Sequence, residues 1–170
     1  MRNVAGEANL SLSNLLYHFA TRDDLVLALF RDADARYRLA YAAVLATAPS
    51  DRLRRFEAVL EFNFVDMAQS DTRRFFIQLW ALLSSLDGAT GTLLNDLYQI
   101  DLQHLSERIA ELVPEVGTSE IRRRATLLAA LIEGLVVVRG AHSTSAAEMK
   151  RLDLTAKRVG LAIALGEANQ

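Results

Sequence analysis

A chain of 170 residues, 51% hydrophobic and 24% charged, is long enough to bury a core and too apolar to stay disordered. Its formal charge of −2 comes from 19 basic and 21 acidic residues, so no bulk positive field exists and any nucleic-acid contact has to be local. The absence of cysteine excludes a disulfide framework, a thiolate nucleophile and a cysteine-based zinc site, and a cytoplasmic location is expected.

Two prolines and eight glycines interrupt a chain rich in Leu, Ala, Arg and Glu, residues that lose little rotamer freedom in a helix. The expected class is all-α. No stretch reaches the ~20 uncharged apolar residues of a membrane span, and the first residues carry no apolar run of signal-peptide length.

Residues 2 to 8 and 12 to 19 read as two short helices joined by Asn9-Leu10-Ser11, where Asn9 tolerates a left-handed backbone better than most side chains. Thr21-Arg-Asp-Asp24 then carries the hydroxyl-x-x-acid pattern of a helix start. From residue 23 to about 47, Leu25, Leu29, Ala33, Tyr37 and Tyr41 recur every four residues, the signature of one long linking helix. After Pro49, the positions Leu53, Phe56, Leu60 and Phe64 define the next helix. Phe75, Phe76, Leu79, Trp80, Leu83 and Leu86 then form a run apolar on more than one face, expected to be central and buried. Another helix is expected over residues 92 to 113, before Pro114. The last two are expected over 119 to 141 and 146 to 167, the second opened by Ser145-Ala-Ala-Glu148. A final helix apolar on two sides needs two partners, one of which is most simply a second copy of the chain. The residues expected at that homodimer interface are Leu128, Leu135, Leu152, Val159 and Ile163.

A short helix, a tight turn and a second short helix make a helix-turn-helix. The order Val4-Ala5-Gly6-Glu7-Ala8-Asn9-Leu10-Ser11, Leu12-Ser13-Asn14-Leu15-Leu16-Tyr17-His18-Phe19, then Ala20-Thr21-Arg22-Asp23-Asp24-Leu25 resembles the headpiece of the tetracycline-repressor family. That family reads approximately Ile-Ala-x-x-Ala-Gly-Val-Ser, x-x-x-Leu-Tyr-x-His-Phe, x-x-Lys-x-x-Leu, and the likeness covers about 25 residues with its landmarks in order. Farther on, Leu131-Ile-Glu-Gly-Leu135 is similar to its penultimate helix.

The resemblance implies a DNA-reading headpiece over residues 1–40 and a ligand-binding, dimerising body over 41–170. Operator DNA, a small apolar or amphipathic inducer and a second copy are the implied partners, with no cofactor. Ser11, Ser13, Asn14, Tyr17, His18 and Arg22 become the candidate DNA contacts: hydroxyls and Arg22 for phosphate, Asn14 for a base edge. Three departures stand out. A family headpiece has a further helix before Val4, where this sequence has Met1 to Asn3, so Leu15, Leu16 and Phe19 are expected to lack part of their apolar cover and DNA binding is expected to be weak. Leu12 is apolar where a polar residue is usual, and Arg22 replaces a common lysine. Arg2 and Arg22 against Glu7, Asp23 and Asp24 leave residues 1 to 25 at −1, a poor field for phosphate.

An inducer cavity is expected among Phe62, Phe64, Phe75, Phe76, Trp80 and Tyr98, with Asn63, Gln78, His104 and Arg139 as polar anchors. The same aromatic spacing also suits a plain core. Asp101 and His104 stand one turn apart but lack a third ligand, so no metal site is expected. There is no Gly-x-Ser-x-Gly elbow, His-Glu-x-x-His or Walker loop, and Gly88-Ala-Thr-Gly91 lacks a lysine, so an enzyme is not expected. The competing reading is a small-molecule-binding or heterodimerising helical protein that does not touch DNA.

Overall fold

Side-chain caps set where several of the helices begin. The computed structural model describes residues 1–84, 90–141 and 145–167, and the side chains of these except 83, 84, 90–98, 100, 101, 140, 141 and 146. Within them are eight α-helices and no strand: α1 (Arg2–Glu7), α2 (Leu12–His18), α3 (Arg22–Thr47), α4 (Arg52–Ala68), α5 (Ser70–Ser84), α6 (Thr90–Leu112), α7 (Thr118–Ala141) and α8 (Ala146–Leu165). The all-α expectation therefore holds, with helix ends within a turn of those read from sequence. Among the described residues no helix is long and apolar enough to cross a membrane.

Thr21 accepts from the Asp24 amide while Asp24 reaches back to the Thr21 amide, a reciprocal cap that starts α3. Ser145 and Glu148 do the same for α8. Asn9 has φ +53° in the tight turn between α1 and α2, the left-handed conformation for which its side chain is suited. The 26 residues of α3 give a rod of roughly 39 Å at 1.5 Å per residue.

The core lies where α4, α6, α7 and α8 meet, and Phe64, Ile109, Leu128 and Val136 are fully buried there. Gly160 lets α8 approach closely: a Cβ at that position would stand 3.2 Å from Leu128 and 3.5 Å from Leu60. A separate small cluster of Val26, Phe30 and Leu79 joins the first half of α3 to α5. Expectation and structure differ over α5. Leu79 is its buried side chain, Phe76 and Trp80 are half-buried, and Ile77 and Gln78 face outward. The central positions belong to α4 and α7, while Leu79 is the one buried residue among the described side chains of α5.

The residues expected at the homodimer interface divide by their burial within one chain. Leu128 and Leu135 are buried in the chain's own core, and Leu152 and Ile163 pack against it. Val159 alone of the five is exposed. The outward apolar residues of these helices are instead Leu127, Val137 and Val138 on α7 and Leu154 and Val159 on α8. Leu15, expected to lack cover, is buried, whereas Leu16 is exposed and Phe19 half-exposed.

The C-terminus of α8 is held by a glycine and an arginine. Gly166 caps it at φ +82°, and Arg124 of α7 donates to the Ala164 carbonyl at 2.9 Å. A Cβ at Gly166 would collide with the Arg124 guanidinium. Gly166→Ala is expected to cost about 1–2 kcal/mol, from left-handed strain plus the displaced arginine. Urea unfolding should show the loss, and an unchanged midpoint would mean that the α8 end does not contribute to stability.

Arg124 also hydrogen-bonds Glu120, and with Arg123 beside it holds the Glu120 carboxyl below its ordinary value of 4.5. A depressed folded value stabilises above the ordinary carboxylate range and is lost as pH falls through the folded one. Glu120→Gln should therefore differ from the wild type by a constant, small amount above about pH 5 and converge with it in acid. An acid titration of both proteins with a pH-independent difference would remove this pairing from the account.

Candidate functional site

A cleft of about 100 Å³ opens between α3, α4, α5, α6 and α7. α3 presents Phe30, Asp34, Tyr37 and Tyr41 to it, a series spaced near one and two helical turns that puts them on one face. Asn63 and Met67 come from α4, Phe76, Leu79 and Trp80 from α5, His104 and Leu105 from α6, and Ile132, Glu133 and Val136 from α7. The ring centres of Tyr37 and Phe76 lie 5.7 Å apart and those of Phe76 and Trp80 6.0 Å, so a continuous aromatic wall runs from α3 to α5.

The polar groups of this wall divide into satisfied and unsatisfied ones. Asn63 is buried with both ends occupied: its Nδ2 donates to the Val59 carbonyl at 2.8 Å and its Oδ1 accepts from the Tyr41 hydroxyl at 2.7 Å. Tyr37 donates its hydroxyl to Asp66. The Asp34 side chain is 8% exposed; Arg38 reaches its Oδ2 at 3.1 Å from the solvent side, and its Oδ1 lies 3.6 Å from His104 Nε2. That separation is too long for a hydrogen bond, and both atoms are buried without a hydrogen-bond partner among the described residues.

Of the expected ligand contacts, Asn63, Phe76, Trp80 and His104 come together in the cleft. Phe62 lies on a neighbouring open groove with Asp66 and Phe75. Gln78 is exposed on the outer side of α5. The side chain of Tyr98 lies outside the described residues, as do those of Asp101 and His142 and the segment around Gly88. Arg139 is 2% exposed and serves the core: it donates to the Phe64 carbonyl at 3.1 Å and pairs with Asp153, tying α4, α7 and α8. Sequence reasoning overlooked Asp34, Tyr37, Tyr41 and Glu133 as cleft residues. The series Asp34, Tyr37, Tyr41 was a readable signal, because a carboxylate on the inward face of an amphipathic helix has a reason to be there.

At the other end of α3, α2 is a short exposed helix. Ser11 caps it by accepting from the Asn14 amide at 3.1 Å, and its hydroxyl also pairs with that of Ser13 at 3.1 Å. Ser13, Asn14, Tyr17 and His18 are all exposed, Tyr17 at 86%, while Leu15 packs inward. Arg22 is exposed at the first turn of α3. No group of three or more His, Asp or Glu side chains able to hold a metal occurs among the described residues. No family model matches the chain, and no curated protein matches it significantly.

Proposed function

We propose that the protein is a ligand-responsive DNA-binding regulator that acts as a homodimer and leaves its operator when a small molecule enters the cleft. The observation that carries this reading is the double duty of α3. It begins at Arg22, with only residues 19–21 between it and the end of α2 at His18, and its middle supplies Asp34, Tyr37 and Tyr41 to the cleft. A ligand that favours one placement of α3 biases the placement of α2 by its differential affinity for the two states. The Val26–Phe30–Leu79 cluster passes the same shift to α5, next to Trp80. The helix-turn-helix likeness of residues 1–25 gives the DNA half of the reading, with Ser13, Asn14, Tyr17, His18 and Arg22 as the contacting residues.

Two copies are needed because one short helix reads too little sequence, and a two-fold dimer presents two such helices about 34 Å apart. The apolar residues left outward on α7 and α8 suit that pairing, with Leu127 at 58% and Val159 at 42% exposed. Val159→Arg is expected to give monomers with unchanged helical content. Sedimentation in which the wild type is already a monomer at micromolar concentration would remove the dimer from the proposal.

DNA binding is tested by titrating the protein against the region upstream of its own coding sequence at two salt concentrations. Sequence-dependent binding, of whatever strength, that weakens with salt and is lost in Tyr17→Ala supports the reading. Equal weak binding to any DNA overturns it. A second reading, a ligand-binding protein that does not use DNA, is favoured by the −1 charge of residues 1 to 25 and would be the survivor of that outcome.

A further inference from the structure

The charged groups around the cleft are one-sided. Among the described residues that line it, the carboxylates are Asp34 and Glu133, the basic side chain is His104 at 3.6 Å from Asp34, and no lysine or arginine faces it. Arg38 engages Asp34 at Oδ2 with a side chain 56% exposed to water, so its compensation is screened and leaves Oδ1 unserved. A buried carboxylate oxygen without a donor costs free energy until a donor arrives. Opposite it, His104 Nε2 is also unserved, and aromatic rings of Tyr37, Phe76 and Trp80 present π faces or edges to the same space.

We propose that the cleft takes a compact organic amine, protonated at neutral pH. Its ammonium nitrogen donates to Asp34 Oδ1 beside His104, and its single ring or short apolar body rests against Trp80, Phe76 and Tyr37. The inference rests on the ligand-binding half of the proposed function and is independent of the DNA half. Three features of the site select this chemistry. An anionic ligand would stand against the Asp34 carboxylate, with no lysine or arginine among the described lining residues to receive it. A neutral ligand gains burial but not the charge-assisted hydrogen bond or the cation–π attraction of the aromatic wall. The volume of about 100 Å³ is below that of the ~150 Å³ apolar cavity that accepts benzene, so a ring enters only with outward movement of the lining side chains and nothing larger than one ring is expected.

The experiment compares three probes of one shape on the full chain: 2-phenylethylamine, 2-phenylethanol and phenylacetate. Trp80, the one tryptophan of the sequence, reports binding by fluorescence, and calorimetry gives the affinities. The amine is expected to bind at least about tenfold tighter than the alcohol, and phenylacetate more weakly than either. Asp34→Asn keeps the shape and should abolish the preference of amine over alcohol. Arg38→Ala removes the same ion pair from the solvent side and should preserve it, which separates the loss of a surface pair from the loss of the ligand's partner. Should Asp34→Asn fail to fold, the three-probe comparison on the wild type decides alone. An alcohol bound as tightly as the amine, a preference that survives Asp34→Asn, or no binding by any probe overturns the proposal. Tight amine binding with no effect on DNA affinity would leave it standing and sink the regulator reading instead.

Discussion

Arg139→Met is expected to destabilise the folded chain by about 3 kcal/mol, the lower end of the range for breaking a buried ion pair. The guanidinium is 2% exposed, so in the wild type its charge is met by the Phe64 carbonyl and by Asp153 and not by water. Methionine keeps the aliphatic packing and removes the donors. It leaves Asp153 without its partner, and because that side chain is 29% exposed, water recovers part of the loss. For a chain of this length the change should lower the melting temperature by roughly 6–12 °C. The double replacement Arg139→Met with Asp153→Leu should restore most of the stability, since a well-packed apolar pair often matches a buried ionic one. Amine affinity of the folded Arg139→Met protein should be unaltered. Unaltered stability together with lost ligand binding would return Arg139 to the ligand site and overturn its assignment to the core.

The reassignment of Arg139 illustrates what a sequence leaves open. An arginine directly after Leu135-Val-Val-Val138, two residues from the end of α7, looks the same on paper whether it faces a ligand or a neighbouring helix. The decision is made by Asp153 on α8 and by the backbone of α4, which are 14 and 75 residues away. Local chemistry was legible in advance: the reciprocal caps at Thr21 and Ser145, the left-handed Asn9 and the break at Pro49 depend on neighbours within a few positions. Four of the ten expected cleft residues, Asn63, Phe76, Trp80 and His104, were legible as apolar-face residues with polar neighbours. Asp34 and Glu133 were not, because a charge in an otherwise amphipathic repeat is ordinarily solvated, and only the packing of α3 on α4 and α5, across the cleft from α7, turns these two toward a common space.

The same limit governs α7, where periodicity marks two apolar faces without saying which one the chain keeps for itself. Leu127 and Leu128 are adjacent and chemically identical, yet the first is 58% exposed and the second fully buried against α4 and α8. Their replacements should therefore separate folding from association. Leu128→Ala removes a side chain that touches the Gly160 backbone region of α8, where the close approach leaves little room for collapse around the vacated volume. A loss of about 3–4 kcal/mol is expected, in the upper part of the range for leucine truncation in a tight core. Leu127→Arg should change the stability of the isolated chain by no more than about 0.5 kcal/mol, as for other surface positions, while preventing two copies from pairing through α7. Urea unfolding paired with sedimentation at several concentrations reads both effects. Dissociation by Leu128→Ala at unchanged unfolding free energy, with Leu127→Arg still paired, would place the interface on the other face of α7 and reverse the assignment of its two sides.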